Sequence, residues 1–170
     1  MSLPSTLKNF NLFNDGASYM GIAEEIKLPK LKRKMEPYRA GGMNGPVKID
    51  LGQEELGIEF TCGGIMEQVF KQYGITKVDG VMLRFAGAYQ RDDTSVVQAV
   101  EVVVRGRHEE IDLGDAKAGD KSKLNVKSTL SYYKLTVDNK VLIEIDLLNM
   151  IEIIDGKDIL ADQRKAIGLA

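Results

Sequence analysis

Hydrophobic and polar residues alternate along most of the chain after Gly74, which is the pattern of half-buried β-strands. The alternating runs are rich in Val, Ile, Thr and Tyr, the residues that strands favour. This pattern predicts four strands, at Val81–Tyr89, Val96–Ile111, Leu124–Val137 and Val141–Ile154. The last two flank Asp138-Asn139-Lys140, which suits a tight hairpin, so we expect an antiparallel meander.

The first half of the chain has a weaker strand pattern. Tyr19–Leu28, Val47–Leu51 and Leu56–Cys62 have strand character. All four prolines lie in the first third of the chain, and we therefore expect an irregular N-terminal portion.

Two helices are predicted. In Ile65–Tyr73 the apolar residues recur at helical spacing, Glu67 and Lys71 can pair on the opposite face, and Gly74 follows as a natural stop. This amphipathic helix is expected to cover the sheet. A short second helix is predicted at about Asp158 to Ile167, with basic residues near its end and a glycine after it.

The Val96–Ile111 run is long for a strand, since strands usually have about 3–10 residues. A strand of this length must bend across two packed sheets or project beyond the body of the protein. Both arrangements suit a β-sandwich or barrel with edges that a neighbour can share. The pattern thus favours a mainly β fold of sandwich or barrel type, and it makes self-association plausible.

Composition narrows the class of protein. A chain of 170 residues suits one domain, 1–170, and its 23 basic and 25 acidic side chains give a net charge of −2, which disfavours electrostatic DNA binding. The single cysteine precludes an intramolecular disulfide and suits synthesis in the cytoplasm. The N-terminus shows no signal peptide, and acidic residues within Val141–Ile154 exclude a membrane span.

Candidate catalytic groups are few. His108 adjoins Glu109 and Glu110, but only Glu110 shares its face in a strand, so a solvated, charged strand end is favoured over a metal site. Cys62 is interpreted as a small buried hydrophobe rather than a nucleophile with His108 as its base. The pattern requires neither catalysis nor a cofactor.

Three loops and a basic run resemble binding motifs only superficially. Gly114–Ser122 lacks the spacing of a phosphate-binding loop and is interpreted as a mobile hairpin loop, and Gly41–Pro46 is interpreted as a turn. The adjacent acids of Arg91–Asp93 are expected to hydrogen-bond the backbone. The basic residues within Lys30–Lys34 are expected to face protein rather than nucleic acid.

The linear sequence does carry a family resemblance, over nearly its whole length. The segments that carry it are Leu7–Asn14, Ile26–Lys34, Tyr38–Gly45, Asp50–Gly52, Leu83–Asp93, Val102–Asp112, Glu144–Asp146 and Asn149–Glu152. In these segments the chain strongly resembles the major tail tube protein of contractile-tailed bacteriophages and R-type pyocins.

The resemblance implies a mainly β fold of two packed antiparallel sheets with one flanking helix, here joined by the short C-terminal helix. It also implies a structural subunit of a virion tail, assembled in the host bacterial cytoplasm. Such subunits form hexameric rings that stack into a hollow tube inside a contractile sheath, which serves as a DNA conduit and membrane-penetrating rod. Implied partners are further copies of the chain, the sheath protein, a baseplate tube initiator and a tail terminator, with tape measure protein and DNA transiently in the lumen. No specific nucleic-acid binding and no cofactor is expected, and the lumen should be acidic or neutral.

Within this scheme, inter-ring contacts are expected in the N-terminal segment around Phe10 and Phe13 and in the Tyr38–Pro46 loop, at Tyr38, Arg39, Met43 and Asn44. The sheath is expected to meet the exposed charges Glu67 and Lys71. Two alternatives remain: a tube subunit of a DNA-free injection machine, such as an R-type pyocin or type VI secretion tube, and a small β-sandwich enzyme with His108 and Glu110 in its site.

Overall fold

A computed structural model describes residues 1–169, which form antiparallel β-structure with two short helices. The elements in chain order are β1 (Ser5–Asn14), β2 (Ala17–Ser18), β3 (Ala23–Lys27), β4 (Arg33–Tyr38), β5 (Val47–Gln53), β6 (Leu56–Cys62), α1 (Glu67–Gln72), β7 (Val81–Arg91), β8 (Val97–Asp112), β9 (Leu124–Val137), β10 (Lys140–Asp146), β11 (Ile151–Ile154), β12 (Lys157–Asp158) and α2 (Ala161–Ala166). The predicted mainly-β class with a flanking helix and a short C-terminal helix is confirmed.

Ten of the strands form one folded sheet, and β4 and β5 form a separate two-stranded sheet. The main path runs β12-β11-β10-β9-β8-β7-β1-β2, while β6 pairs with the first half of β9 and carries β3 on its other side. The second half of β9 pairs with β10 instead. The long strands β8 and β9 are therefore shared by two packed layers.

The core lies between these two layers. One layer contributes inward side chains from β1, β7 and β8, such as Leu12, Phe85 and Val104, and the other contributes Ile58 and Phe60 from β6 together with residues of β9. All of these side chains are fully buried, as expected from the period-two pattern of their strands.

The pairing of β8 with β9 has two irregularities: the additional residue is Ser131 of β9 after Arg105, and Glu109 of β8 after His108. Gly106 lies at the first of them, where a Cβ atom would stand 1.9 Å from the carbonyl oxygen of Thr129. Bulges of this kind bend a strand and increase its twist. The strand predicted over 16 residues is thus 16 residues long, has one bulge of its own at Glu109, and approaches β9 closely at Gly106.

The N-terminal and C-terminal predictions need correction. The N-terminal portion is not irregular, because β1 is a ten-residue strand paired along β7 and the basic run enters a further strand, β4. The predicted single strand Val141–Ile154 is a hairpin, β10 and β11, that turns at Leu147–Met150. The strands predicted from Val81 to Val137 are otherwise confirmed within one or two residues.

Both predicted helices exist but are shorter, at six residues each. Gly74 and Gly168 follow them with φ of 81° and 83°, the left-handed conformation that commonly ends a helix. Neither helix in the described part of the chain has the length and apolar character needed to cross a membrane.

Candidate assembly surfaces

The β4–β5 hairpin exposes an apolar face. Residues directly opposite in an antiparallel pair share a face, and the register pairs Tyr38 with Val47 and Glu36 with Ile49. Tyr38, Val47, Ile49 and Leu51 therefore lie on one face, and each is 45% to 55% exposed. A two-stranded hairpin is at best marginally stable alone in water, so this uncovered face is the strongest indication of a contact surface.

The tip of the hairpin holds three of the predicted inter-ring residues. The Arg39 Nε–H donates to the Met43 carbonyl oxygen at 3.3 Å, and the Ala40 N–H lies 3.2 Å from the Met43 sulfur. Met43 is half-buried by this turn, while Asn44 is exposed. With Tyr38 at the end of β4, the structure brings the four predicted residues of this loop together.

The base of the hairpin is fixed by ionic contacts to the main sheet. The Arg33 guanidinium on β4 pairs with Asp50 on β5 at 2.9 Å and with Glu152 on β11. The hydrogen bonds that Arg33 donates to Glu152 and Asp50 raise the pKa of Arg33, and those that the Gly52 N–H and Arg33 donate to Asp50 lower the pKa of Asp50. Glu152 is only 4% exposed, so this pair fixes the hairpin to a buried carboxylate.

A cleft of about 620 Å³ lies beside this anchor, between the hairpin and the C-terminal part of the chain. Its walls include Leu51 of the hairpin and Leu147, Ile159 and Leu160 of the C-terminal part. The apolar face of the hairpin therefore continues into an open cleft.

Phe10 and Phe13, the other predicted inter-ring residues, are part of the sheet. The Phe10 ring stacks on Phe85 with centroids 5.8 Å apart, and the Arg84 guanidinium lies 4.0 Å from the centre of the Phe13 ring. Both phenylalanines are half-buried. The structure thus places them on β1, in a different part of the sheet order from the hairpin.

The start of β1 is tied to the β7–β8 turn. Asp93 accepts the Leu3 N–H at 3.0 Å and pairs with Arg91 at 2.6 Å, and these two contacts lower its pKa. Lys8 pairs with Asp92 at 2.9 Å. Asp93 therefore hydrogen-bonds the backbone as predicted.

Helix α1 presents both charged and apolar side chains to solvent. Glu67 and Lys71 are both exposed, as predicted for the polar face of this helix. Of the predicted apolar face, only Val69 is fully buried, whereas Ile65 is 70% and Tyr73 63% exposed. The prediction that the apolar residues of this helix cover the sheet is therefore only partly right.

A buried polar cluster holds α1 against the sheet, and it contains His108. The His108 ring hydrogen-bonds the Ser128 hydroxyl through Nδ1 at 2.8 Å and the side-chain amide oxygen of Gln72 through Nε2 at 2.9 Å. Gln72 in turn donates to Asn14 at 2.6 Å and to Asp15 at 2.7 Å. These contacts join α1 to β1, β8 and β9.

The prediction that His108 lies at a solvated strand end is wrong. Its side chain is 5% exposed, and burial lowers its pKa from 6.5 to about 4. The bulge after His108 places Glu110 in solvent instead of beside the imidazole. A strict period of two misses this change because a bulge inserts one extra residue.

The remaining candidate for chemistry, Cys62, is a free and fully buried thiol, as predicted. Burial raises its pKa to about 11, which keeps it protonated and unreactive. Within residues 1–169, no three His, Cys, Asp or Glu side chains are grouped to hold a metal ion. Gly114–Ser122 connects β8 to β9 and Gly41–Pro46 is the tip of a hairpin, so both are loops between strands.

One polar surface was not anticipated from the sequence. Where all four strands β7, β8, β9 and β10 pair, the face that points away from the core carries three cations and three anions, Arg84, Arg105, Lys134, Glu101, Glu144 and Asp146, and Arg107 lies just beyond this stretch. Arg84 and Glu101 approach to 3.4 Å, and the Tyr132 hydroxyl donates to Glu144 at 3.0 Å. The surface is therefore charged but balanced.

Comparison with solved structures gives the class of fold. A chain in the cryo-EM structure of the PVC extracellular contractile injection system, sheath/tube terminator in the extended state, matches with a TM-score of 0.60. The match covers 77% of this chain and 95% of that chain at 9% identity. A chain in the cryo-EM structure of the anti-feeding prophage baseplate matches with a TM-score of 0.59 at 12% identity. This match covers 80% of this chain and 97% of that chain. The fold is thus one found in contractile injection machines.

Sequence comparison narrows this class to a family. The chain belongs to the family described as phage tail tube protein FII, which matches residues 4–168. The tail tube protein of Escherichia phage P2 is 47% identical over 99% of this chain and all of that protein. The major tail tube protein of Serratia phage KSP20 is 41% identical over 99% of this chain and 99% of that protein. The family is one of structural tail proteins, and the resemblance seen in the sequence is confirmed.

Proposed function

We propose that residues 1–170 act as one domain that is the subunit of the inner tube of a contractile tail. Hexameric rings of the chain stack into a hollow tube, through which DNA passes and which acts as a rod when the sheath contracts. Membership of the tail tube family supports this role, and the exposed apolar face of the β4–β5 hairpin is the observation that carries it. Four exposed apolar side chains do not stabilise a monomer, whereas in a stacking subunit they supply apolar area that is buried on assembly.

Rings of identical subunits form when two different surfaces of one chain complement each other and the rotation closes. Stacking then needs a second pair of complementary surfaces on the two faces of the ring. We assign this stacking role to the predicted inter-ring residues, Phe10, Phe13, Tyr38, Arg39, Met43 and Asn44. They lie on two separate elements, β1 and the hairpin, as a head-to-tail contact requires.

We assign the lumen wall to the balanced polar face of β7 to β10. Each phosphate that a Lys or Arg neutralises adds affinity for DNA, and such affinity would slow its passage. The three cations on this face are matched by three anions, and Arg84 is already paired with Glu101. A wall of this kind is neutral overall, in keeping with the net charge of −2.

The outer and terminal contacts complete the assembly. The sheath meets α1, where Glu67 and Lys71 supply charges and the exposed Ile65 and Tyr73 supply apolar area. A baseplate initiator and a tail terminator bind the two ends of the tube, and tape measure protein occupies the lumen before DNA does. The subunits assemble in the host cytoplasm and function in the virion tail.

A second candidate is a tube subunit of a machine that carries no genome, such as an R-type pyocin or a type VI secretion tube. The match to chains of extracellular contractile injection systems favours it, although it extends only to the fold. Capsid genes beside the gene for this chain would support the phage role, and their absence would support the genome-free machine. The enzyme alternative has lost its basis, because His108 is buried and Glu110 is exposed.

Electron microscopy of the concentrated protein tests the proposed function. Rings or hollow tubes are the expected result. Dispersed monomers at every concentration, including in the presence of preformed tail baseplates, would contradict it.

A further inference from the structure

Unpaired strand edges in this fold differ in how well they are protected against pairing with another chain. Among residues 1–169, the outer strands β2 and β12 have only two residues each. The free edge of β3 carries Glu24, Glu25 and Lys27, and that of β4 contains Pro37. Short length, charge and proline are the devices by which proteins block edge pairing.

Two longer edges are only partly protected, by Lys8 and its bulge on β1 and by Lys48 and Asp50 on β5. Beyond its short contact with β2 at Phe13 and Asn14, β1 has a free outer edge over 5–11, interrupted only by a bulge at Lys8. The outer edge of β5 is free over 47–51. Both edges belong to elements that carry the predicted inter-ring residues.

The side chains of these two edges also match. On β5 the residues Val47, Ile49 and Leu51 form an exposed apolar row. On β1 the bulge at Lys8 places Leu7 opposite Tyr89 and Phe10 opposite Gly87, so Leu7 and Phe10 share the core-side face. Leu7 is 37% exposed and Phe10 half-buried, so this row is incompletely covered within the monomer.

We propose that β5 of one copy adds as a strand to the outer edge of β1 of a copy in the neighbouring ring. Strand addition supplies main-chain hydrogen bonds, and the apolar row of β5 then covers Leu7 and Phe10. The contact is head-to-tail because it joins two different edges of the same chain. This inference rests on the proposed tube function and names the surfaces that stack the rings.

The pairing within the hairpin indicates which amides point outward. Pro37 has no N–H to offer β5, so its pair with Lys48 is of the kind in which the backbone groups of both residues point away from the partner strand. The Lys48 N–H therefore faces the free edge. Lys48→Pro removes this donor without removing a hydrogen bond between β4 and β5, and Lys48→Ala is the matched control that keeps it.

The test compares tube formation by the two variants of the full chain. Lys48→Pro is expected to lower the polymerised fraction, measured by sedimentation and electron microscopy, at least tenfold, and Lys48→Ala is expected to assemble as the parent does. Circular dichroism and thermal unfolding of the unassembled variants check that both fold. Parent-like tubes from Lys48→Pro would overturn strand addition while leaving the tube function intact.

Hydrogen exchange on the parent chain gives a reading that does not depend on a variant. In tubes, peptides covering 47–53 and 5–11 are both expected to exchange at least tenfold more slowly than in the unassembled chain. Tubes in which either peptide keeps its unassembled rate would overturn the inference but not the proposed function. A chain that forms no tubes under any condition would overturn both.

Discussion

The imidazole of His108 is enclosed by Ser128, Gln72 and Phe60, and its two hydrogen bonds suit a neutral ring. Protonation would place a charge among the neutral amides of Asn14 and Gln72, with the Asp15 carboxylate as the nearest counter-charge. Burial of a polar network is favourable only when every member is satisfied. The structure leaves no buried side-chain nitrogen or oxygen without a partner among residues 1–169.

This environment makes the stability of the fold depend on pH. The pKa of His108 is lowered from 6.5 to about 4 in the folded state, so between these pH values the unfolded chain binds the additional proton. Stability is therefore present above pH 6.5 and is lost as the pH falls towards 4, by about 3 kcal/mol in total. Urea unfolding of His108→Gln should show a loss of stability between pH 6.5 and pH 4 that is smaller than the parent's by this total, and identical losses would contradict the assignment.

A second residue-scale prediction concerns Gly106. Because its Cβ would overlap the Thr129 carbonyl oxygen, Gly106→Ala is expected to destabilise the fold by about 3 kcal/mol or more. Gly41→Ala is the control, since nothing lies within 4 Å of its Cβ, and it should change the free energy of unfolding by less than about 0.5 kcal/mol. Equal stability of the two variants in urea would show that β8 and β9 approach less closely.

At the scale of elements, the hairpin depends on its anchor. The β4–β5 sheet has no strand partner in the main sheet, and the contact of Arg33 with buried Glu152 on β11 ties its base to the body. Truncating one partner of a buried ion pair leaves the other poorly compensated. We therefore expect this side-chain pair to contribute most to the orientation of the apolar face.

Glu152→Gln tests this anchor. The variant is expected to lose about 1–3 kcal/mol of stability, less than for a fully buried pair because Arg33 keeps Asp50, and to exchange amide hydrogens faster across 33–53. Lys8→Gln removes the exposed pair with Asp92 and should change neither measurement. Unaltered exchange across the hairpin in Glu152→Gln would mean that other contacts orient it.

The elements differ in how well their positions can be predicted from the sequence. Strands β7, β8 and β9 alternate regularly and are rich in Val and Tyr, so their positions follow from local pattern. The position of strand β1 cannot be predicted in this way, because a bulge at Lys8 breaks its alternation and three asparagines lower its strand propensity. His108 continues the buried alternation of Val102, Val104 and Gly106, so its burial follows from the period of two, whereas the exposure of Glu110 depends on the bulge after His108.

At the scale of the whole molecule, the proposed assembly accounts for the exposed hairpin and its tip. The candidate contact residues of the hairpin could be predicted from position within a family resemblance, but the apolar face behind them required the register of β4 with β5. The balanced polar face of β7 to β10 also required the register of four strands. A surface formed by residues of several paired strands cannot be recognised in any single segment of the sequence.

The hairpin tip can be tested directly. Met43→Glu with Asn44→Lys introduces bulky charges at the proposed ring-to-ring contact and is expected to lower the tube yield at least about tenfold, equivalent to about 1.4 kcal/mol of contact energy. Lys117→Glu in the exposed β8–β9 loop is the control and should assemble normally. Electron microscopy after matched incubation measures the yield, and undiminished growth of the double variant would remove this loop from the interface.

The most direct test of the central claim is a cryo-EM reconstruction of assemblies grown from the purified chain. We expect a hollow tube of stacked six-fold rings, with the β4–β5 hairpin of each copy reaching the next ring and the polar face of β7 to β10 lining the lumen. Discrete particles without a channel, or a filament in which the hairpin stays in solvent, would contradict it.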